Sequence, residues 1–131
     1  MSANHRPTFL SLLALLSALT LPRSTFGQQT AEDFVSRGVA KRDKRDWDGA
    51  IADFTKAIEL DPQNPTHYEN RGFAKKKKGD LDGDIADCNR AVELDPKRPV
   101  PYYCRGEAKK AKADQAGADA DFAQAAKLGG R

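Results

Sequence analysis

Histidine, cysteine and tryptophan are scarce in this 131-residue chain, which has two His, two Cys and one Trp. Past the N-terminal segment only His67 remains, near the start of an expected helix. No Ser-His-Asp or Cys-His set can be assembled from local spacing, so the sequence offers no nucleophile and base for catalysis. Two Cys and one His also fall short of four-coordinate zinc ligation. Asp80-x-Asp82-x-Asp84 starts like a calcium loop, but Ile85 stands where glycine is required and Ala91 where the bidentate Glu belongs. Those acids read as an acidic helix start. No enzyme activity, metal or cofactor is expected.

Long apolar runs are missing too. The longest, Phe9 to Leu21, has 13 residues, against about 20 for a membrane-spanning helix. His5 and Arg6 precede it, and the small residues Thr25 and Gly27 follow, just before Gln28. That is the pattern of a leader with a cleavage site. Residues 1–27 are therefore expected to be a signal peptide cleaved near Gly27, making the protein secreted or periplasmic without stable membrane insertion; an uncleaved anchor is the rival reading. No Cys stands near the cleavage site, so a lipoprotein anchor is not expected.

Excess charge of one sign is the third absence. Without Arg6 and Arg23, residues 28–131 carry 20 basic and 19 acidic side chains, a net of +1. A nucleic-acid binder would show a clear basic excess, so none is expected as a partner. Lys75 to Lys78 form the densest basic run. A phosphate site is conceivable there, but four lysines at a helix C-terminus also complement the helix dipole.

What the chain does have is a period. Arg37-Gly38-Val39-Ala40-Lys41 returns as Arg71-Gly72-Phe73-Ala74-Lys75 and Arg105-Gly106-Glu107-Ala108-Lys109, each 34 residues after the last. Ala50 to Pro62 returns as Asp84 to Pro96 and fades over Ala118 to Leu128. A fixed period of this length marks a helix-turn-helix array. Several columns agree at once, and residues 31 to 130 resemble the tetratricopeptide repeat family. The resemblance implies an all-α solenoid of six helices in a short right-handed superhelix. Its repeats fall at about 31–64, 65–98 and 99–131, within a domain spanning 28–131.

The columns assign local roles. Asp46, Asp80 and Asp114 are expected to cap the second helices, Asp61-Pro62 and Asp95-Pro96 to end them, and Pro65 and Pro99 to open first helices. Gly38, Gly72 and Gly106 mark close helix approach, with Ala50, Ala57, Ala91, Ala118 and Ala125 opposite. The Arg and Lys columns are commonly apolar in the family, so their stems are expected to cover apolar surface while the charges reach water. Asp84 breaks the small column of Ala50 and Ala118 and needs a donor; Arg71 is the candidate, a splayed second repeat the alternative. Gly129-Gly130-Arg131 follows the last helix without a separate cap, and self-capping by that Ala-rich helix is favoured over an interaction face.

Cys88 takes the Phe54 and Phe122 column and Cys104 lies on the next first helix, each eight residues from Pro96. A disulfide between them is expected, two buried thiols being the alternative; a loop of about 15 residues would contribute roughly 3 kcal/mol.

The resemblance also implies a concave groove along the first helices. By column it holds Glu32, Val35, Val39, Arg42 and Asp43, then Thr66, Glu69, Asn70, Phe73, Lys76 and Lys77, then Val100, Tyr103, Glu107 and Lys110. That is an apolar middle with a basic end. Chaperone-binding members hold a C-terminal carboxylate with Lys, Asn and Arg from three first helices. Only Asn70 matches; Val35, Val39, Val100 and Cys104 replace the rest, so that activity is not expected. The expected role is a protein- or peptide-binding adaptor or scaffold, the alternative a structural protein whose array ends stack into oligomers.

Overall fold

A computed structural model describes residues 27–129; the expected leader lies outside them. Six helices follow in order: α1 (Ala31–Asp43), α2 (Trp47–Leu60), α3 (Pro65–Lys78), α4 (Leu81–Leu94), α5 (Pro99–Ala111) and α6 (Gln115–Leu128). The described residues contain no strand. Each helix packs mainly on its sequence neighbours, and α3 also touches α5. The result is an all-α repeat solenoid with first helices along one wall.

The helix ends follow from sequence. Asp46, Asp80 and Asp114 accept the backbone N–H groups of Gly49, Gly83 and Gly117 at 3.0, 2.8 and 2.9 Å, satisfying donors that the first turn leaves free. Thr30 and Asp33 cap α1 reciprocally. Between the two helices of each repeat the chain turns through a left-handed residue, in one column: Arg45 (φ 60°), Gly79 (φ 98°) and Ala113 (φ 64°). Glycine occupies it once; Arg45 and Ala113 carry the strain of an L side chain there.

Inside each repeat, one buried carboxylate holds two cations from the first helix. Asp53 pairs with Arg37 (3.1 Å) and Lys41 (2.8 Å). Asp87 binds Arg71 through two nitrogens at 2.9 and 2.7 Å, and Lys75 at 2.9 Å. Asp121 does the same with Arg105, at 2.9 and 2.5 Å, and Lys109, at 2.8 Å. Burial pushes the Asp121 carboxyl up, but bonds from Arg105 and Lys109 outweigh it and hold it below the usual carboxylate range. The Arg and Lys columns therefore do not simply reach for water. They neutralise an acid column, Asp53, Asp87 and Asp121, that spacing alone did not single out.

The glycine column also meets other neighbours than the expected alanines. A methyl on Gly38 would lie 2.6 Å from the Phe54 ring, and one on Gly106 2.8 Å from Phe122. In the middle repeat the corresponding atom is Asp84 Oδ1, 2.7 Å from that position on Gly72. The departure at Asp84 is thus half of an exchange. Ala50/Phe54 and Ala118/Phe122 become Asp84/Cys88, one turn apart, and the carboxyl takes the volume that the ring fills elsewhere. Arg71 is not its donor, being committed to Asp87. Asp84 is fully buried and accepts only the Cys88 thiol, at 3.3 Å, while its Oδ2 has no partner.

Candidate functional site

Along the wall of first helices, the expected groove residues separate into three groups. At the first repeat Val35 and Val39 are half-buried against the Ala50, Phe54 and Ala74 cluster, beside Trp47 and Ile51. Arg42 turns sideways onto the neighbouring Asp43 carboxylate, 3.3 Å away.

In the middle, the Phe73 ring is half-buried with Trp47 at its edge, centroids 6.4 Å apart. The Lys76 and Lys77 amines stand 5.8 and 5.4 Å from its centroid, an arrangement favoured by the ring quadrupole. Trp47 was not among the expected groove residues; it sits at the start of a second helix, and only Leu81, thirty-four residues on, hints that an apolar side chain there faces the next repeat. Lys76 also bonds Glu107 on α5 at 2.5 Å. Burial works against its charge, but Glu107 prevails and raises the Lys76 pKa. Glu69 is likewise taken, by Arg98 at 2.7 and 2.9 Å, and Arg98 reaches Thr66 at 3.3 Å. Asn70 makes no side-chain hydrogen bond among the described residues.

The expected basic end is consequently thinner than the column count implied. Of Arg42, Lys76, Lys77 and Lys110, only Lys77 and Lys110 face no carboxylate within 4.0 Å among the described residues.

At the third repeat Tyr103 is 52% exposed and Val100 47%. The Tyr103 ring meets Phe122 with centroids 5.5 Å apart. Both line an open, mostly apolar pocket of about 640 Å³ with Pro99, Phe122, Ala125, Ala126 and Gly129. The groove thus runs into the C-terminal end of the described array.

Behind the middle of the groove lie the two cysteines. Both are free thiols, so the expected disulfide is not formed in this structure. Cys88 is buried and directed onto Asp84. Burial, reinforced by that carboxylate, drives its pKa far up. Burial also raises Cys104, to about 11, with Lys76 opposing. Neither has the lowered pKa of a reactive thiolate. Asp84 itself is raised by burial to about 6, against the Cys88 bond and the nearby Lys76 charge.

Comparison with known proteins agrees with this geometry. A TPR repeat model matches residues 38–79 and a tetratricopeptide repeat model residues 68–98. No curated protein matches the chain. Among solved structures, the Arabidopsis OM64 TPR domain is similar at 30% identity and TM-score 0.74, with 76% of this chain and 82% of that one covered. The TPR2B domain of yeast Sti1, in an Hsp70 complex, shares 31% identity at TM-score 0.73, covering 75% of this chain and 78% of that one. The first TPR of Spaghetti (RPAP3), bound to the HSP90 peptide SRMEEVD, shares 29% at TM-score 0.74, covering 76% and 79%. The 34-residue columns, the paired helices and these likenesses agree: the chain belongs to the tetratricopeptide repeat family.

Proposed function

We propose that this protein is a non-catalytic binding module that takes an extended protein segment along its first helices. The observation that carries the reading is the strip of partly exposed apolar side chains, Val35, Val39, Phe73, Val100 and Tyr103, flanked by Lys77 and Lys110. The neighbouring acids Glu69 and Glu107 are already neutralised by Arg98 and Lys76. A ligand with apolar side chains and an acidic residue complements such a surface. Two of the similar domains hold HSP90 or Hsp70 partners, which supports peptide binding here but not the same peptide. With valines at 35, 39 and 100 and Cys104, the groove lacks most donors for a terminal carboxylate.

Peptide-library binding by the full chain tests the groove. Phe73→Asp should weaken the selected peptides at least tenfold, and Tyr103→Ala several-fold, with helicity unchanged by circular dichroism. Unchanged binding by both variants refutes the assignment.

An exported setting fits the leader pattern of residues 1–27. N-terminal sequencing of the protein from its native cell checks it; an intact Met1 terminus would oppose cleavage.

A further inference from the structure

At both inner junctions of the array, the start of the following first helix plugs a socket formed by the preceding repeat. His67, 4% exposed, does so at the first junction, its Nε2 3.4 Å from Asp61 Oδ2. Pro101, fully buried, holds the same position at the second, where Arg98 reaches back to Glu69 and Thr66. Thirty-four residues on, the corresponding positions line the open pocket of the third repeat. Asp61 and Asp95 become Gly129, Thr66 and Glu69 become Val100 and Tyr103, and Val92 shrinks to Ala126. The pocket keeps the form of a repeat junction and loses that junction's polar partners.

We propose that this pocket is a second docking site, distinct from the middle of the groove. It would receive an uncharged, apolar turn of a partner protein entering as the start of a helix, as residues 98–103 enter the second repeat. Apolar lining favours an occupant without charge, because a buried unpaired charge is costly.

The same columns argue against a second copy of this chain. Its α1 would present Asp33 where His67 and Pro101 plug, and that carboxylate is engaged with Thr30. Lys44 would face Ala116 and Arg37 would face Ala123. The inner junctions supply Asp48 and Asp82 to the first of these columns, and Thr55 and Asn89 to the second. The outer face of α6 also replaces Trp47 and Leu81 by Gln115, and Ile51 and Ile85 by Asp119. Only the edge of that face stays apolar, which suits a short turn and not a whole packed helix.

The probe is a synthetic peptide of residues 95–106 carrying Arg98→Leu, titrated into the full chain while the Ala125 and Ala126 methyl signals are followed by NMR. Saturable shifts at these methyls are expected. Ala126→Lys, a surface change on a helix, should weaken binding at least tenfold with helicity unchanged, whereas Phe73→Asp should alter it less than twofold. That contrast separates failure of this site from failure of the groove. The proposal is overturned by no methyl shift with the wild-type chain, or by equal binding to Ala126→Lys. It is also overturned if the wild-type chain forms a concentration-dependent dimer that Ala126→Lys dissolves, which would assign the pocket to a second copy.

Discussion

Asp84→Asn should make this protein more stable at neutral pH and slightly less stable in acid, by about 1 kcal/mol. The carboxyl is fully buried between α3 and α4, and one of its oxygens has no partner. Its pKa is raised from 3.8 to about 6. Because the folded value lies above the unfolded one, the folded state holds the proton more tightly. The contribution of Asp84 to stability is therefore greatest below about pH 4, falls as pH rises through the 4–6 window, and levels off above it. A two-unit displacement corresponds to roughly 3 kcal/mol of lost stability at pH 7.5, at about 1.4 kcal/mol per unit. Asparagine has the same shape and no charge, but its amide brings a donor to a place with few acceptors, which costs about 1 kcal/mol. A net gain of about 2 kcal/mol is expected, or roughly 10 °C in melting temperature for a domain of this size. Thermal unfolding followed by circular dichroism at pH 4 and 7.5 measures it. The other carboxylates are common to both proteins, so the wild-type difference isolates Asp84. A variant less stable at pH 7.5, or a difference independent of pH, would refute the account of Asp84 as a buried charge.

The Asp84/Cys88 exchange predicts strong coupling. Cys88→Phe alone should destabilise by crowding the carboxyl, and Asp84→Ala alone by leaving a void, whereas the double variant restores the pattern of the flanking repeats; a denaturant double-mutant cycle should show more than about 1 kcal/mol of favourable interaction. Asp87→Ala leaves Arg71 and Lys75 without their shared carboxylate and should cost about 3 kcal/mol in urea unfolding, far more than Asp48→Ala, whose pair with Lys78 is exposed. Arg45→Gly and Ala113→Gly relieve the left-handed turn and should each raise stability by about 0.5–1 kcal/mol, with no loss of helix by circular dichroism.

The fold was legible because period and columns are properties of sequence. A recurring Arg-Gly-x-Ala-Lys, an Asp before each second helix and prolines at the turns suffice to place six helices. Pairings between helices were less legible. Asp53, Asp87 and Asp121 look like ordinary solvated charges within one helix, and only the rotation of the two helices brings each onto an Arg sixteen residues earlier. Asp84 invited a partner search at Arg71, when its cause is the volume vacated at Cys88. The groove residues could be named by column, yet which of their charges remained available could not. Lys76 and Glu107 are 31 residues apart and meet only across the junction of two repeats.

The links between repeats have a direction. Arg71 reaches Thr55, Arg98 reaches Glu69, Arg105 reaches Asn89, Lys78 reaches Asp48 and Lys112 reaches Asp82. In each, a cation on or at an end of a first helix grasps a group that precedes that helix by a repeat junction; Lys76 to Glu107 is the exception. A chain growing from its N-terminus would therefore present each new repeat with its anchoring groups already in place. Removing the last repeat takes Glu107 from the largely buried Lys76, whereas removing the first takes only Thr55 from Arg71, which keeps Asp87, and the exposed Asp48 from Lys78. By its charge pairs, the array should tolerate loss of its first repeat better than loss of its last.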